Sequence, residues 1–238
     1  MLSEKRLREL AVKTQTTFIN VVREYMQNLF LNYFYSLEKS ENIYFKGGTA
    51  LRILYRSPRF SEDLDFSAPS INRKLIEDLI EEVSLRIDKE GIAIDINEAT
   101  ITSGGYLSII DFEIGGEKFG VTLEISARKK KPSGELVLID NPYIDAYSVM
   151  ALKREELIAE KIEALLNRKK PRDFYDLYFM LRANLLPEKA VLKMVLPLVE
   201  KTQINFKHEL GEFLPQGQQR IIKDFKQTLI SEIRRFVV

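Results

Sequence analysis

Asp63 and Asp65 are the first residues in this sequence whose types and spacing suggest chemistry. Two carboxylates at i and i+2 of a strand point to one face, with Cα atoms roughly 6 to 7 Å apart, so both can reach one hard cation. Surface strands also carry such pairs as ordinary solvated positions, so the pair alone decides little. Upstream, Gly47-Gly48-Thr49 lies between a β-type run, Ile43-Tyr44-Phe45, and a helical stretch. Backbone N–H groups at a strand–glycine–helix junction can cradle a phosphate, and the missing Cβ atoms allow close approach. The competing reading is a plain turn with Thr49 as N-cap. A phosphate cradle one loop away from a carboxylate pair is the combination that a metal-bound triphosphate requires. Glu124 is the candidate third carboxylate, because on its strand Thr122 and Glu124 face away from Val121, Leu123 and Ile125; Glu113 competes with it.

These residues need elements to hold them. Apolar residues recur at helical spacing over residues 7–35, including Phe18, Val21, Val22, Tyr25 and Leu29, which predicts one or two helices. Strands are expected over 43–45, 63–66, 92–96, 106–114 and 118–126, with Gly115-Gly116 as a hairpin turn and a helix over 72–89. From about residue 148 every periodic segment reads as helix: 151–168, 171–183 with Pro171 in the first turn, 188–200 and 218–236. The fold class is therefore α+β, a small mixed sheet flanked by helices and followed by an all-helical part. The expected domains are residues 1–145 and 146–238.

Composition removes whole classes of chemistry. The 238 residues contain no cysteine and one histidine, so disulfides, thiolate metal sites, a cysteine nucleophile and multi-histidine centres are excluded. His208 lies outside every motif and reads as a surface or structural residue. With 45% hydrophobic and 30% charged residues the composition is that of a globular chain. No apolar run approaches the length of a membrane span, and the early residues Glu4, Lys5, Arg6, Arg8 and Glu9 form no signal-peptide core, so a cytoplasmic protein without membrane association is expected. Residues 1–149 hold 19 Lys/Arg against 23 Asp/Glu, and residues 150–238 hold 17 against 12. The basic clusters Arg128-Lys129-Lys130-Lys131 and Arg168-Lys169-Lys170-Pro171-Arg172 could hold the phosphates of an RNA; a solvated loop and a helix C-terminus also account for them. Phe174, Tyr175, Tyr178 and Phe179 fit core packing against the preceding helix better than a base-stacking platform.

The run Phe45-Lys46-Gly47-Gly48-Thr49-Ala50-Leu51, followed by Arg59-Phe60-Ser61-Glu62-Asp63-Leu64-Asp65-Phe66, resembles the signature of the AbiEii/AbiGii-type nucleotidyltransferases, a toxin family within the DNA polymerase beta-like superfamily. Glu156-Leu157-Ile158-Ala159-Glu160-Lys161-Ile162-Glu163-Ala164-Leu165 and Pro171-Arg172-Asp173-Phe174-Tyr175-Asp176-Leu177 resemble the family's C-terminal motifs. The resemblance spans roughly residues 43–180. It implies that Gly47, Gly48, Thr49 and Ser61 bind nucleotide, that Asp63 and Asp65 bind Mg²⁺ in a two-metal site with Glu124 as third ligand by strand order, and that Lys161 contacts the triphosphate. Asp173 takes an undefined polar role for which Asp176 competes, and a salt-bridge network is the alternative for Lys161, Arg172 and Asp173.

The implied reaction is transfer of a nucleoside monophosphate from a nucleoside triphosphate, with release of pyrophosphate. The implied partners are an RNA acceptor, tRNA first, and a cognate antitoxin. A phosphatase of the haloacid dehalogenase type fits poorly, because its aspartates follow a long hydrophobic strand whereas Arg59-Phe60-Ser61-Glu62 precede these. A metal-dependent glycosyltransferase would need a full nucleotide-binding sheet ahead of the motif. The rival from another class is an inactive RNA- or partner-binding protein that keeps the fold.

Overall fold

The helical periodicity near the start of the chain resolves into two helices in a computed structural model, which describes residues 1–128, 130–185 and 188–237. Helix α1 (Glu4–Thr14) stops where Gln15 turns left-handed, and Thr17 caps α2 (Phe18–Tyr35) by accepting from the Asn20 N–H. A 3₁₀ turn at Ser40–Asn42 leads into β1 (Tyr44–Lys46), α3 (Gly47–Tyr55), β2 (Leu64–Ala68) and α4 (Arg73–Lys89). The long antiparallel strands β3 (Ala93–Thr102), β4 (Gly105–Ile114) and β5 (Glu117–Ala127) follow, and the positive φ angles of Gly115 and Gly116 make the tight turn between the last two.

Two further strands, β6 (Gly134–Ile139) and β7 (Tyr147–Leu152), lie where only turn residues and the start of the helical part were expected. Residues 147–152 form a short buried strand beside β1. An apolar run of that length does not distinguish a buried strand from the start of a buried helix. The remaining helices are α5 (Arg154–Arg168), α6 (Pro171–Arg182), α7 (Lys189–Lys201), α8 (Lys207–Phe213) and α9 (Phe225–Val237). Helix α8 was not expected, and a 3₁₀ segment at Gln216–Asp224 replaces the first part of the helix read over 218–236.

The chain packs as two units, one of Met1–Arg56 with Phe60–Leu152 and one of Ser57–Arg59 with Lys153–Val238. In the first, the seven strands make one mixed sheet in the order β3-β4-β5-β2-β1-β7-β6, parallel at β1/β7 and β2/β5. Side-chain alternation gives the sheet two unlike faces. Phe45, Phe66, Leu123, Ile125 and Ala151 are in register on one face and are buried, with Phe34 of α2 against Phe66 at 5.5 Å between ring centroids. The opposite face carries Lys46, Asp65, Ser67, Glu124 and Ser126.

In the second unit, Lys169 in left-handed conformation and Pro171 at the first position of α6 make a tight α5–α6 turn. Phe174 and Tyr175 are core residues as expected. Their ring partners are not on α5: they are Phe206 for Phe174 and Phe225 for Tyr175, with Phe206 and Phe225 edge-to-face at 4.9 Å. No helix among the described residues is long and apolar enough to cross a membrane.

Candidate active site

The carboxylates sit where the sheet's register brings them together. Asp65 is the second residue of β2, so strand alternation sets it on the polar face, and Asp63 immediately precedes the strand. Asp65 pairs in register with Glu124 on the parallel neighbour β5 and with Lys46 on the antiparallel neighbour β1. A row Lys46, Asp65, Glu124 therefore crosses three adjacent strands on one face. Glu113 does not join it: Leu107 is the β4 residue opposite Glu124, and Glu113 lies six residues further along, about 20 Å at the rise of a strand.

The glycine turn is shaped around the same carboxylate. Gly47 opens α3 with φ of +86°, and a Cβ there would overlap the Asp65 carboxylate and lie 2.7 Å from the Asp65 Cβ and Cγ. The need for glycine at residue 47 thus has two independent causes, backbone conformation and lack of room. Lys46, at the N-cap of α3, makes no side-chain capping hydrogen bond, and the leading N–H groups of a helix are where an anion can bind. Thr49 is fully buried and its hydroxyl donates to the Asp63 carbonyl, tying the helix to the segment that carries the aspartates.

Sequence reasoning missed Gln27. This buried α2 residue donates through Nε2 to the carbonyls of Ser61 and Glu62, at 3.0 and 2.9 Å, and so fixes the backbone just ahead of Asp63. A glutamine among the apolar positions of a helix was the available signal. Ser61 itself is half-buried. Lys46, also unassigned from sequence, is 7% exposed, and its ammonium donates to Ser126 Oγ at 3.4 Å.

Asp63 and Asp65 offer oxygen donors only, the kind hard cations take. Among the described residues no three His, Cys, Asp or Glu side chains converge on one point. Mg²⁺, which keeps waters and shares its shell with substrate phosphates, is commonly held by one or two protein carboxylates, and that requirement the pair fits.

The second unit holds the helical motif residues in ion pairs of its own. Asp176 is buried and accepts from Arg59 Nε at 3.0 Å, Arg59 Nη2 at 3.1 Å and Lys161 Nζ at 2.8 Å. Burial alone would raise its pKa, but the Arg59 and Lys161 charges outweigh that and hold the carboxyl below its usual range. Asp173 serves the α5–α6 turn: its carboxylate accepts from the Lys170 N–H at 3.0 Å and from the Arg168 guanidinium at 2.7 to 3.0 Å. Arg172 pairs with Glu209 at 2.8 Å. In the other basic cluster Arg128 donates to Ser67 Oγ, Lys130 and Lys131 are exposed, and Lys129 lies outside the described residues. His208 is exposed on α8.

Comparison with known proteins bears on the fold and the family. No curated protein sequence matches the chain. Among solved structures, JHP933 from Helicobacter pylori is 20% identical with a TM-score of 0.66, covering 93% of each chain. MenT4, a nucleotidyltransferase toxin from Mycobacterium tuberculosis, is 16% identical with a TM-score of 0.69, covering 100% of this chain and 94% of its own. At these identities the likeness is one of fold. The family model described as nucleotidyl transferase AbiEii toxin, Type IV TA system, matches residues 30–235, so the chain belongs to the AbiEii family of nucleotidyltransferase toxins.

Proposed function

We propose that the protein transfers a nucleoside monophosphate from a nucleoside triphosphate to a hydroxyl of an RNA acceptor, tRNA first, and releases pyrophosphate. The observation that carries this reading is the packing of Gly47 on Asp65, which sets the N-terminus of a helix directly against a carboxylate. A phosphate on the α3 amides would lie beside the aspartates, where its charge needs a cation between them.

In this reading Gly47 and Gly48 admit the phosphates to the backbone, and Thr49 keeps the cradle and the aspartates at fixed separation through its hydrogen bond to Asp63. Gln27 holds the Ser61–Glu62 backbone that leads into Asp63. Asp63 and Asp65 would hold Mg²⁺, with Glu124 as the further ligand of a two-metal site. Magnesium bound there would lower the acceptor hydroxyl's pKa and offset charge on the departing pyrophosphate. Lys161 and Asp173 enter as members of the helical unit's ion pairs, Lys161 keeping the added role of triphosphate contact as a proposal. A cognate antitoxin and a cytoplasmic location complete the reading.

The test incubates the protein with each labelled triphosphate, Mg²⁺ and total cellular RNA, with Asp65→Asn as control. Label on a discrete RNA species, lost in the control, supports transfer. RNA retained by the protein with no label from any triphosphate would favour the binding-protein alternative.

A further inference from the structure

The carboxylate row contains a cation that nothing so far has used. Lys46 is buried, although a lysine at the end of a three-residue strand would ordinarily extend into water. Its register partner on β2 is Asp65, and the Asp65 partner on β5 is Glu124. Ser126, the hydroxyl that its ammonium reaches at 3.4 Å, also lies on β5. Strands β1 and β5 flank β2 on opposite sides, about 9 to 10 Å apart at normal strand spacing. The lysine side chain therefore reaches across β2, on the face that carries Asp65, to Ser126 on β5, while Glu124 on that strand is exposed. A buried ammonium needs an anion close by, and the half-buried carboxylate of its register partner Asp65 is the one this face supplies. Asp65 also faces the like charge of Glu124 across one strand spacing, so a cation beside Asp65 is favoured.

We infer that Lys46 is a positioning residue, the built-in counter-cation of Asp65, which holds that carboxylate in place without a divalent ion and opposes that ion's entry. This rests on the proposed metal role of the aspartates. It assigns Lys46 a regulatory part in that same site: the affinity for the cation is set low enough that a triphosphate must arrive with it.

The experiment titrates Mn²⁺ by calorimetry into wild type, Lys46→Met, Lys46→Arg and Asp65→Asn, with thermal melts in the presence and absence of the ion. Removing a unit charge about 6 Å from a dication should tighten binding about tenfold even with full water screening. The Lys46→Met protein should also melt below wild type without Mn²⁺, and the gap should close at saturating Mn²⁺, because the dication then does the work of the ammonium. Lys46→Arg keeps the charge and should bind as wild type does. Ser126→Ala removes the ammonium's anchor with little risk to the fold; it should tighten binding by a smaller factor, and it decides the matter if Lys46→Met does not fold. Equal affinity in Lys46→Met and wild type, or a melting gap unchanged by Mn²⁺, would overturn the inference and leave Lys46 as packing. If wild type and every variant alike take up no Mn²⁺, the metal reading itself falls and this inference with it. A site that binds in wild type and is lost in Asp65→Asn, with Lys46→Met unaltered, sinks only the role of Lys46.

Discussion

Replacing Asp176 by asparagine keeps the side chain's shape and one acceptor oxygen but removes the anion that two buried cations share. Arg59, Lys161 and Asp176 expose 3, 7 and 1% of their surface, so water screens the cluster very little. Removing one partner of such a pair leaves an uncompensated buried charge and costs about 3 to 5 kcal/mol. Against a whole-domain stability of about 5 to 15 kcal/mol, the unit that holds the cluster should lose a large share. At about 2 to 4 °C per kcal/mol for a chain of this size, its melting temperature should fall by roughly 10 °C. The penalty should also depend on pH in a definite sense. The folded pKa of Asp176 is depressed by Arg59 and Lys161, so the stability it contributes is present above its unfolded value of about 3.9 and is lost as pH falls through the folded value. The difference between wild type and Asp176→Asn should therefore be full at pH 7 and shrink in acid. Urea unfolding followed by circular dichroism at a series of pH values measures it. A difference below about 1 kcal/mol at pH 7 would refute the claim that the cluster is a dry ion triad. Changing all three residues together, Arg59→Met, Lys161→Met and Asp176→Leu, should cost less than Asp176→Asn alone, since no orphaned charge remains.

Asp63→Ala and Asp65→Ala should each abolish label transfer while far-ultraviolet dichroism stays native, and Asp65→Ala should lower stability because Lys46 is buried opposite it. Gly47→Ala should lose both stability and transfer, by about 1 to 3 kcal/mol for the first, as φ is +86° and the new Cβ meets Asp65. Gly48→Ala should instead keep the fold and weaken triphosphate binding by calorimetry; unaltered binding would return the turn to a plain structural role. In alkali, burial and the hydrogen bond to Glu90 push Tyr33 up to about 12, and burial, with Glu24 close by, pushes Tyr143 and Tyr147 higher still. Each folded pKa is raised, so their contribution is whole below the unfolded value of about 10 and is lost as pH rises toward the folded ones. A phenolate absorbance titration should show these tyrosines ionising only together with loss of the folded dichroism signal.

What the sequence made legible was local. Strand, glycine turn and helix around residues 43–55 are encoded by neighbours, and so is the alternation that sets Asp65 and Glu124 on the outer face of their strands. What it left hidden depends on which strands become neighbours. Strand β7 fills the place beside β1 that makes a short apolar run a strand, and residues 147–152 carry no mark of that partner. The pairing of Arg59 with Asp176 spans 117 positions, and each side chain taken alone reads as an ordinary surface charge. Lys46 shows the same limit most clearly, because its surroundings come from three strands: the antiparallel β1/β2 pair sets it opposite Asp65, and the parallel β2/β5 pair supplies Ser126. The indispensable glycine is likewise chosen by the sheet. A glycine before a helix satisfies a turn, but at Gly47 the missing Cβ also makes room for a carboxylate projecting from the next strand. The local pattern thus specifies which chemistry is present, and the strand order decides which residues must make room for it.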